Sequence, residues 1–274
     1  MKDSIKFLDK NVAHTYSCSN GDLVIPFNDF EWYRGSDYRS VAVYTDECLN
    51  HPKTDSKIHI AWLLEPPIIK PYIYDYIRKN FEKFDLILTC DESLLSISPK
   101  FKLFPPAGTW VYPKDWFVYE KTKNVSIIAS EKNYAPGHIY RHQIIDWYKN
   151  KFDFVCGRGY KKIDYKLEAL KDFRYTFTME NCILSTYFTD RVIECFLTGT
   201  IPIYWGTTNI TRYFNEDGII FIPDDINKVG KIFDIIGPED YDFRKLAILE
   251  NFEIAKSWAV AEDRFYDQFV KGLK

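Results

Sequence analysis

At 274 residues with 46% hydrophobic content, the chain can bury a large core and sits at the length where one core divides into two domains. Its 36 basic and 39 acidic side chains leave a net charge of −3, which excludes a broad basic surface that tracks nucleic acid and confines anion binding to local sites. Six cysteines (Cys18, Cys48, Cys90, Cys156, Cys182 and Cys195) occur without a Cys-x-x-Cys pair, so neither a zinc site nor a disulfide framework is indicated, and a reducing cytosol fits them. No apolar run has signal-peptide length at the start, and none approaches the ~20 residues of a membrane span. A soluble, cytoplasmic protein without an integral membrane segment is the expectation.

In chain order, Lys57–Leu64 reads as a buried strand stopped by Pro66 and Pro67, because proline ends both strand pairing and helix continuation. Pro71–Phe84 follows with helical spacing of Tyr72, Tyr76, Ile77 and Phe81, and Asp85–Thr89 is a second apolar strand. The Pro-, Gly- and Lys-rich stretch from Phe104 to Lys123 lacks a period and reads as an interdomain connection.

Beyond it, strands at 125–129, 152–156, 175–179, 201–205 and 219–222 alternate with helices at 138–148, 163–172 and 190–197. Such order predicts a parallel sheet covered by helices on both faces. Asp224-Asp225 caps a helix to about 236, and further helical segments run over 238–256 and 259–272. The expected fold class is α/β with two Rossmann-like domains: 1–120, 121–256, and a last helix within 257–274.

In an open parallel sheet, ligands bind beyond the carboxyl ends of the strands, beside helix N-termini that offer unpaired N–H groups. That rule selects Glu65, the 130–140 loop, 157–162, 180–191 and 206–209. Within 180–191, Thr189 suits an N-cap, which puts Arg191 in the first turn of the helix. A cation there opposes the helix dipole, so it suits an anion site better than a stabilising role; a solvated helix start is the plainer alternative. Arg158, between Gly157 and Gly159, can approach a phosphate through a flexible backbone or simply occupy a turn.

The segments Phe177-Thr-Met-Glu-Asn181, Tyr187-Phe-Thr-Asp-Arg191 and Thr200-Ile-Pro-Ile-Tyr-Trp-Gly206 resemble, at these spacings, the α-1,3/4-fucosyltransferases. The likeness covers roughly 125–222 and is weaker before it. It implies the two-domain GT-B architecture, with the acceptor half first, the donor half second, and a cleft between them that closes to exclude water. It further implies an inverting, metal-independent transferase that moves L-fucose from GDP-fucose to a glycan hydroxyl. Glu180, Asn181, Tyr187, Thr189, Asp190 and Arg191 match the positions that hold the nucleotide sugar in that family. Arg141 matches an arginine on the donor diphosphate, and Glu65 the general base.

The family's Glu-Lys pair is Asp190-Arg191 here. A guanidinium still clasps a phosphate bidentately, whereas the shorter carboxylate leaves donor identity open to another sugar nucleotide such as UDP-xylose. No cofactor is expected beyond the nucleotide-sugar co-substrate. Asp91-Glu92 and Asp224-Asp225 read as helix caps and not as a metal site. A non-catalytic glycan-binding protein is the alternative of another class, since the 18% aromatic content can form sugar platforms as well as fill cores. The acceptor falls to the loops 28–36 and 105–114, where Trp32, Tyr33 and Trp110, with the nearby Trp116, could stack on sugars or belong to the core.

Overall fold

The computed structural model describes residues 2–10 and 28–273, so Cys18 lies outside the described residues. The chain forms two compact units: Met1–Gly108 with Leu184–Tyr187 and Val260–Lys274, and Thr109–Ile183 with Phe188–Ala259. The second unit therefore begins at Thr109 and not at 121. The reason is local: the Trp110 N–H donates to Glu194 at 2.9 Å and the Tyr112 N–H to the Tyr165 hydroxyl at 2.5 Å, which ties the Pro/Gly stretch to the second unit.

The first unit is a parallel sheet of β1 (Asp3–Leu8), β2 (Phe30–Tyr33), β3 (Val41–Thr45), β4 (Ile58–Trp62), β5 (Leu86–Thr89) and β6 (Phe101–Leu103), in the order β2-β1-β3-β4-β5-β6. Only β4 and β5 stood out in the sequence. β1 carries Asp3, Ser4 and Lys6 among its apolar residues, and β2 and β6 have four and three residues, so none shows a usable period. β3 is buried along its whole length, as expected of a strand covered on both faces, and pairs Val43 with Ile60 of β4. Between β4 and β5, α1 (Pro71–Asn80) starts on a proline at its first turn and buries Ile73, Tyr74 and Ile77 against the sheet; the chain then tightens into a 3₁₀ turn at Phe81–Lys83.

The second unit has β7 (Lys123–Ile128), α2 (Pro136–Tyr148), β8 (Phe154–Cys156), β9 (Phe173–Met179), α3 (Asp190–Leu197), β10 (Ile201–Trp205), β11 (Ile220–Phe221), α4 (Ile226–Ile235), α5 (Pro238–Phe243) and α6 (Lys245–Lys256). Its parallel sheet runs β11-β10-β9-β7-β8, with Phe177 of β9 paired to Ile127 of β7 on one side and Ile203 of β10 on the other. Those residues lie in a core with Tyr175, Ile144 and Val229. The expected helix over 163–172 is instead a 3₁₀ turn, Lys166–Ala169. The Glu168 carboxylate accepts from the Asp164 and Tyr165 N–H groups and closes the turn, and β9 begins at Phe173, too soon for a longer helix.

The last segment belongs to the first unit. In place of one helix it forms α7 (Ala261–Phe265) and a π-turn at Tyr266–Val270; Phe265 stacks on Trp62 at 5.3 Å between centroids and Tyr266 on Phe30 at 5.0 Å. Trp32, 1% exposed and stacked on Phe7, is part of this core and not a sugar platform. No helix among the described residues is long and apolar enough to cross a membrane.

Candidate functional site

In the second sheet the strand order changes direction between β7 and β9, and a crevice forms beyond the carboxyl ends of these two strands. A cavity of about 350 Å³ occupies it, floored by Ile128 and Ala129 of the β7 end and by Phe177 and Met179 of β9. Four cationic side chains line it: Arg141 from α2, Arg158 from the turn after β8, Lys166 from the 3₁₀ turn, and Arg191 from α3. Gly157 makes that turn possible. Its φ of +108° suits glycine, and a Cβ would stand 2.1 Å from the Ala129 carbonyl oxygen.

Arg141 is 5% exposed, and its guanidinium donates to the Met179 carbonyl at 2.6 Å, which turns a helix residue in toward the strand end. Arg191 is held from behind. Its Nη1 donates to the Glu180 carboxylate at 3.1 Å and the Thr189 hydroxyl at 3.2 Å, and Nη2 donates to the Asn181 side-chain Oδ1 at 3.3 Å. Glu180 is fully buried and takes two further donations from Thr189, backbone N–H and hydroxyl, each at 2.8 Å. Burial pushes the Glu180 carboxyl above the usual range, opposed chiefly by Arg191. Gly137 permits this packing, since any Cβ there would sit 1.7 Å from the Glu180 carbonyl oxygen.

The structure thus sorts the residues singled out in the sequence. Arg141, Arg158, Asp190 and Arg191 line the cavity, whereas Glu180, Asn181 and Thr189 stand behind it and fix the Arg191 guanidinium. Tyr187 is 2% exposed and falls in the first unit, apart from the cavity lining. Glu65 also lies in the first unit, half-buried and three residues past the end of β4; its backbone carbonyl accepts from the Tyr74 hydroxyl at 3.0 Å.

Three residues were missed. Lys166 reaches Asp190 at 2.5 Å and both oxygens of Glu194 at 2.9 and 2.8 Å, and no sequence period distinguishes it from other lysines. Glu194, at i+4 from Asp190 on α3, could have been noticed as an acidic residue on the apolar face of a helix. Asp46 follows β3 with φ of +31°, rare outside glycine; it accepts from the Leu64 N–H at 2.9 Å and from Lys70 at 3.0 Å, and so fixes the strand end that carries Glu65.

His138, in the first turn of α2, is 3% exposed; burial, Arg141 and Arg191 push it down to about 4, so it is neutral near pH 7 and adds no competing charge. For Glu194, burial wins over Lys166 and pushes the carboxyl up to about 7. The folded chain then holds a proton that the unfolded chain has released above the ordinary carboxylate range, and this contribution to stability is lost as pH rises through 7. Lys166→Met removes the cation between two carboxylates. It is expected to cost on the order of 3 kcal/mol, with a larger drop in melting temperature at pH about 8 than at about 5. An equal drop at both would show that the lysine does not balance these charges.

Comparison with known proteins adds the following. No family model matches the chain. An Acanthamoeba polyphaga mimivirus protein named as a fucosyltransferase is 31% identical over 61 residues, which are 22% of this chain and 10% of that protein. The α-(1,3)-fucosyltransferase FucT of Helicobacter pylori is 30% identical over 59 residues, 22% of this chain and 12% of that one. The chain therefore matches only about a tenth of the length of these curated relatives.

Among solved structures, an α1,3-fucosyltransferase with GDP-fucose superposes with a TM-score of 0.56 at 14% identity, over 94% of this chain and 90% of that one. Sucrose-phosphate synthase from Thermosynechococcus elongatus gives 0.57 at 11% identity, over 99% of each. The fold is that of the GT-B glycosyltransferases, with two Rossmann-like units. The sequence likeness within that class is to fucosyltransferases.

Proposed function

We propose that the protein is an inverting glycosyltransferase that works without a metal and moves a sugar, L-fucose from GDP-fucose, to a glycan hydroxyl. The observation that carries this reading is the convergence of Arg141, Arg158 and Arg191 on one cavity at the switch point of a parallel sheet, where a nucleotide diphosphate would be held. Of the three only Arg141 is buried, but like charges gathered on one cavity repel unless an anion joins them, and a diphosphate is an anion that a planar guanidinium fork grips well. The short sequence match and the solved GDP-fucose complex of a protein with this fold support fucose and guanosine over other donors.

In this reading the first unit takes the acceptor and Glu65 removes its hydroxyl proton. The acceptor oxygen bonds to the anomeric carbon while the bond from that carbon to the β-phosphate oxygen breaks, inverting the centre in one displacement. The electron pair leaves with the nucleoside diphosphate, whose growing charge meets Arg141 and Arg191 in place of a metal ion. Asp190, anchored by Lys166, would contact the ribose or the sugar.

The deciding experiment is donor hydrolysis and transfer with GDP-fucose, other GDP-sugars and a set of UDP-sugars, in EDTA. Turnover of GDP-fucose is expected. Turnover confined to a UDP-sugar would replace the donor, and glycan binding without turnover of any donor would replace the enzyme by a glycan-binding protein.

A further inference from the structure

The strand order of the first sheet reverses between β1 and β3, and a cavity of about 330 Å³, within the range of small-molecule pockets, is walled by segments that leave its strand ends. Lys10 stands two residues past β1, Leu49 and Asn50 belong to the turn after β3, and α1, which follows β4, supplies Tyr72 and Tyr76.

The two tyrosines are one helical turn apart on the same face of α1, and the buried Leu49 and Ile73 complete the apolar part of the lining. Tyr72 is 55% exposed, yet its ring is held: the hydroxyl donates to Glu47 at 3.1 Å, and Lys70 grips Glu47 at 2.6 Å. Asn50 and Lys10 are exposed, so an amide and an ammonium meet whatever enters.

Aromatic rings with a few polar groups suit a sugar, whose C–H faces pack on the rings while its hydroxyls pair with the amide and the ammonium. The lining carries one charge of each sign, Lys10 and Glu47, so an ion of either sign loses to one what it gains from the other. A neutral ring escapes that opposition.

Lys70 also ties this wall to Glu65. Its Nζ donates to Asp46 at 3.0 Å, and Asp46 accepts at 2.9 Å from the N–H of Leu64, the residue before Glu65.

We propose that this cavity is an acceptor subsite for a neutral pyranose ring, packed on Tyr72 and Tyr76 and hydrogen-bonded by Asn50 and Lys10. The inference rests on the reading of the first unit as the acceptor side. It moves acceptor recognition from the 28–36 and 105–114 loops to the strand ends around Glu65.

Tyr72→Ala and Asn50→Ala change exposed side chains, so the melting temperature should move by less than about 2 °C. Dissociation constants of methyl β-D-glucopyranoside and methyl β-D-galactopyranoside, measured by saturation-transfer NMR in the presence of GDP, should rise about tenfold in Tyr72→Ala and about threefold in Asn50→Ala. Tyr72→Phe keeps the ring and should stay within about twofold of the wild type. The corresponding methyl glucuronide and methyl glucosaminide, an acid and an amine, should bind the wild type more weakly than the neutral glycosides.

Equal binding of the neutral glycosides by wild type and Tyr72→Ala overturns the subsite, as does a wild type that binds none of them or binds the charged ones as well. Binding that needs Tyr72 in a protein that turns over no nucleotide sugar would overturn the transferase reading and leave the sugar site standing. Sugar transfer with the same acceptor KM in wild type and Tyr72→Ala would do the reverse.

Discussion

Glu65→Gln is expected to lower the rate of sugar transfer by about 10²–10⁴-fold, the usual contribution of a positioned general base. GDP affinity should be unchanged, because the cavity that holds the cations is built wholly from the second unit. The expectation comes from how the strand end is held. The Asp46 carboxylate fixes the Leu64 N–H and the Tyr74 hydroxyl fixes the Glu65 carbonyl, so the backbone on both sides of the side chain is anchored independently of it. Replacing the carboxylate by an amide removes the proton acceptor without disturbing those anchors, and the melting temperature should move little. Transfer kinetics and a GDP titration of the same preparation check this. A variant that keeps more than a tenth of the wild-type rate would remove Glu65 from the mechanism.

Arg191→Ala is expected to act twice. The cavity loses a charge-assisted contact to phosphate, and kcat/KM for the donor should fall about 10²–10³-fold. The fold also loses the cation beside Glu180, a carboxylate with no exposure, at a cost on the order of 3 kcal/mol. The two effects can be separated. Adding Glu180→Gln removes the stranded charge, so the double variant should recover much of the stability while its donor kinetics stay impaired. Recovery of activity along with stability would mean that Arg191 serves the fold alone and that the phosphate is held elsewhere. Arg191→Lys should be intermediate, since an ammonium restores charge but cannot span Glu180, Asn181 and a phosphate at once.

Much of this site was legible in the chain because its elements obey local rules. β7, β9 and β10 are apolar runs between turn residues, Thr189 caps α3, and the rule that ligands gather at strand carboxyl ends selects Glu65, Arg158 and the 180–191 segment without any contact map. The sequence by itself therefore determined the α/β class and the strand order of the second half, and it singled out Arg158 and Arg191 by these rules and Arg141 through the family resemblance. Only the tertiary structure decided what each polar residue does. Glu180, Asn181 and Thr189 turned out to grip Arg191 and not to line the cavity, Tyr187 fell in the other unit, and Lys166 entered the site on a turn read as a long helix. Asp46 acquires meaning only where the ends of β3 and β4 come side by side. The physical reason is that periodicity reports which face of an element is buried, a property of neighbours three or four residues away. Which buried charge meets which is set by loop paths and sheet order, and these bring together residues such as Lys166 and Glu194, 28 positions apart, or Asp46 and Lys70, 24 apart, beyond the reach of either period.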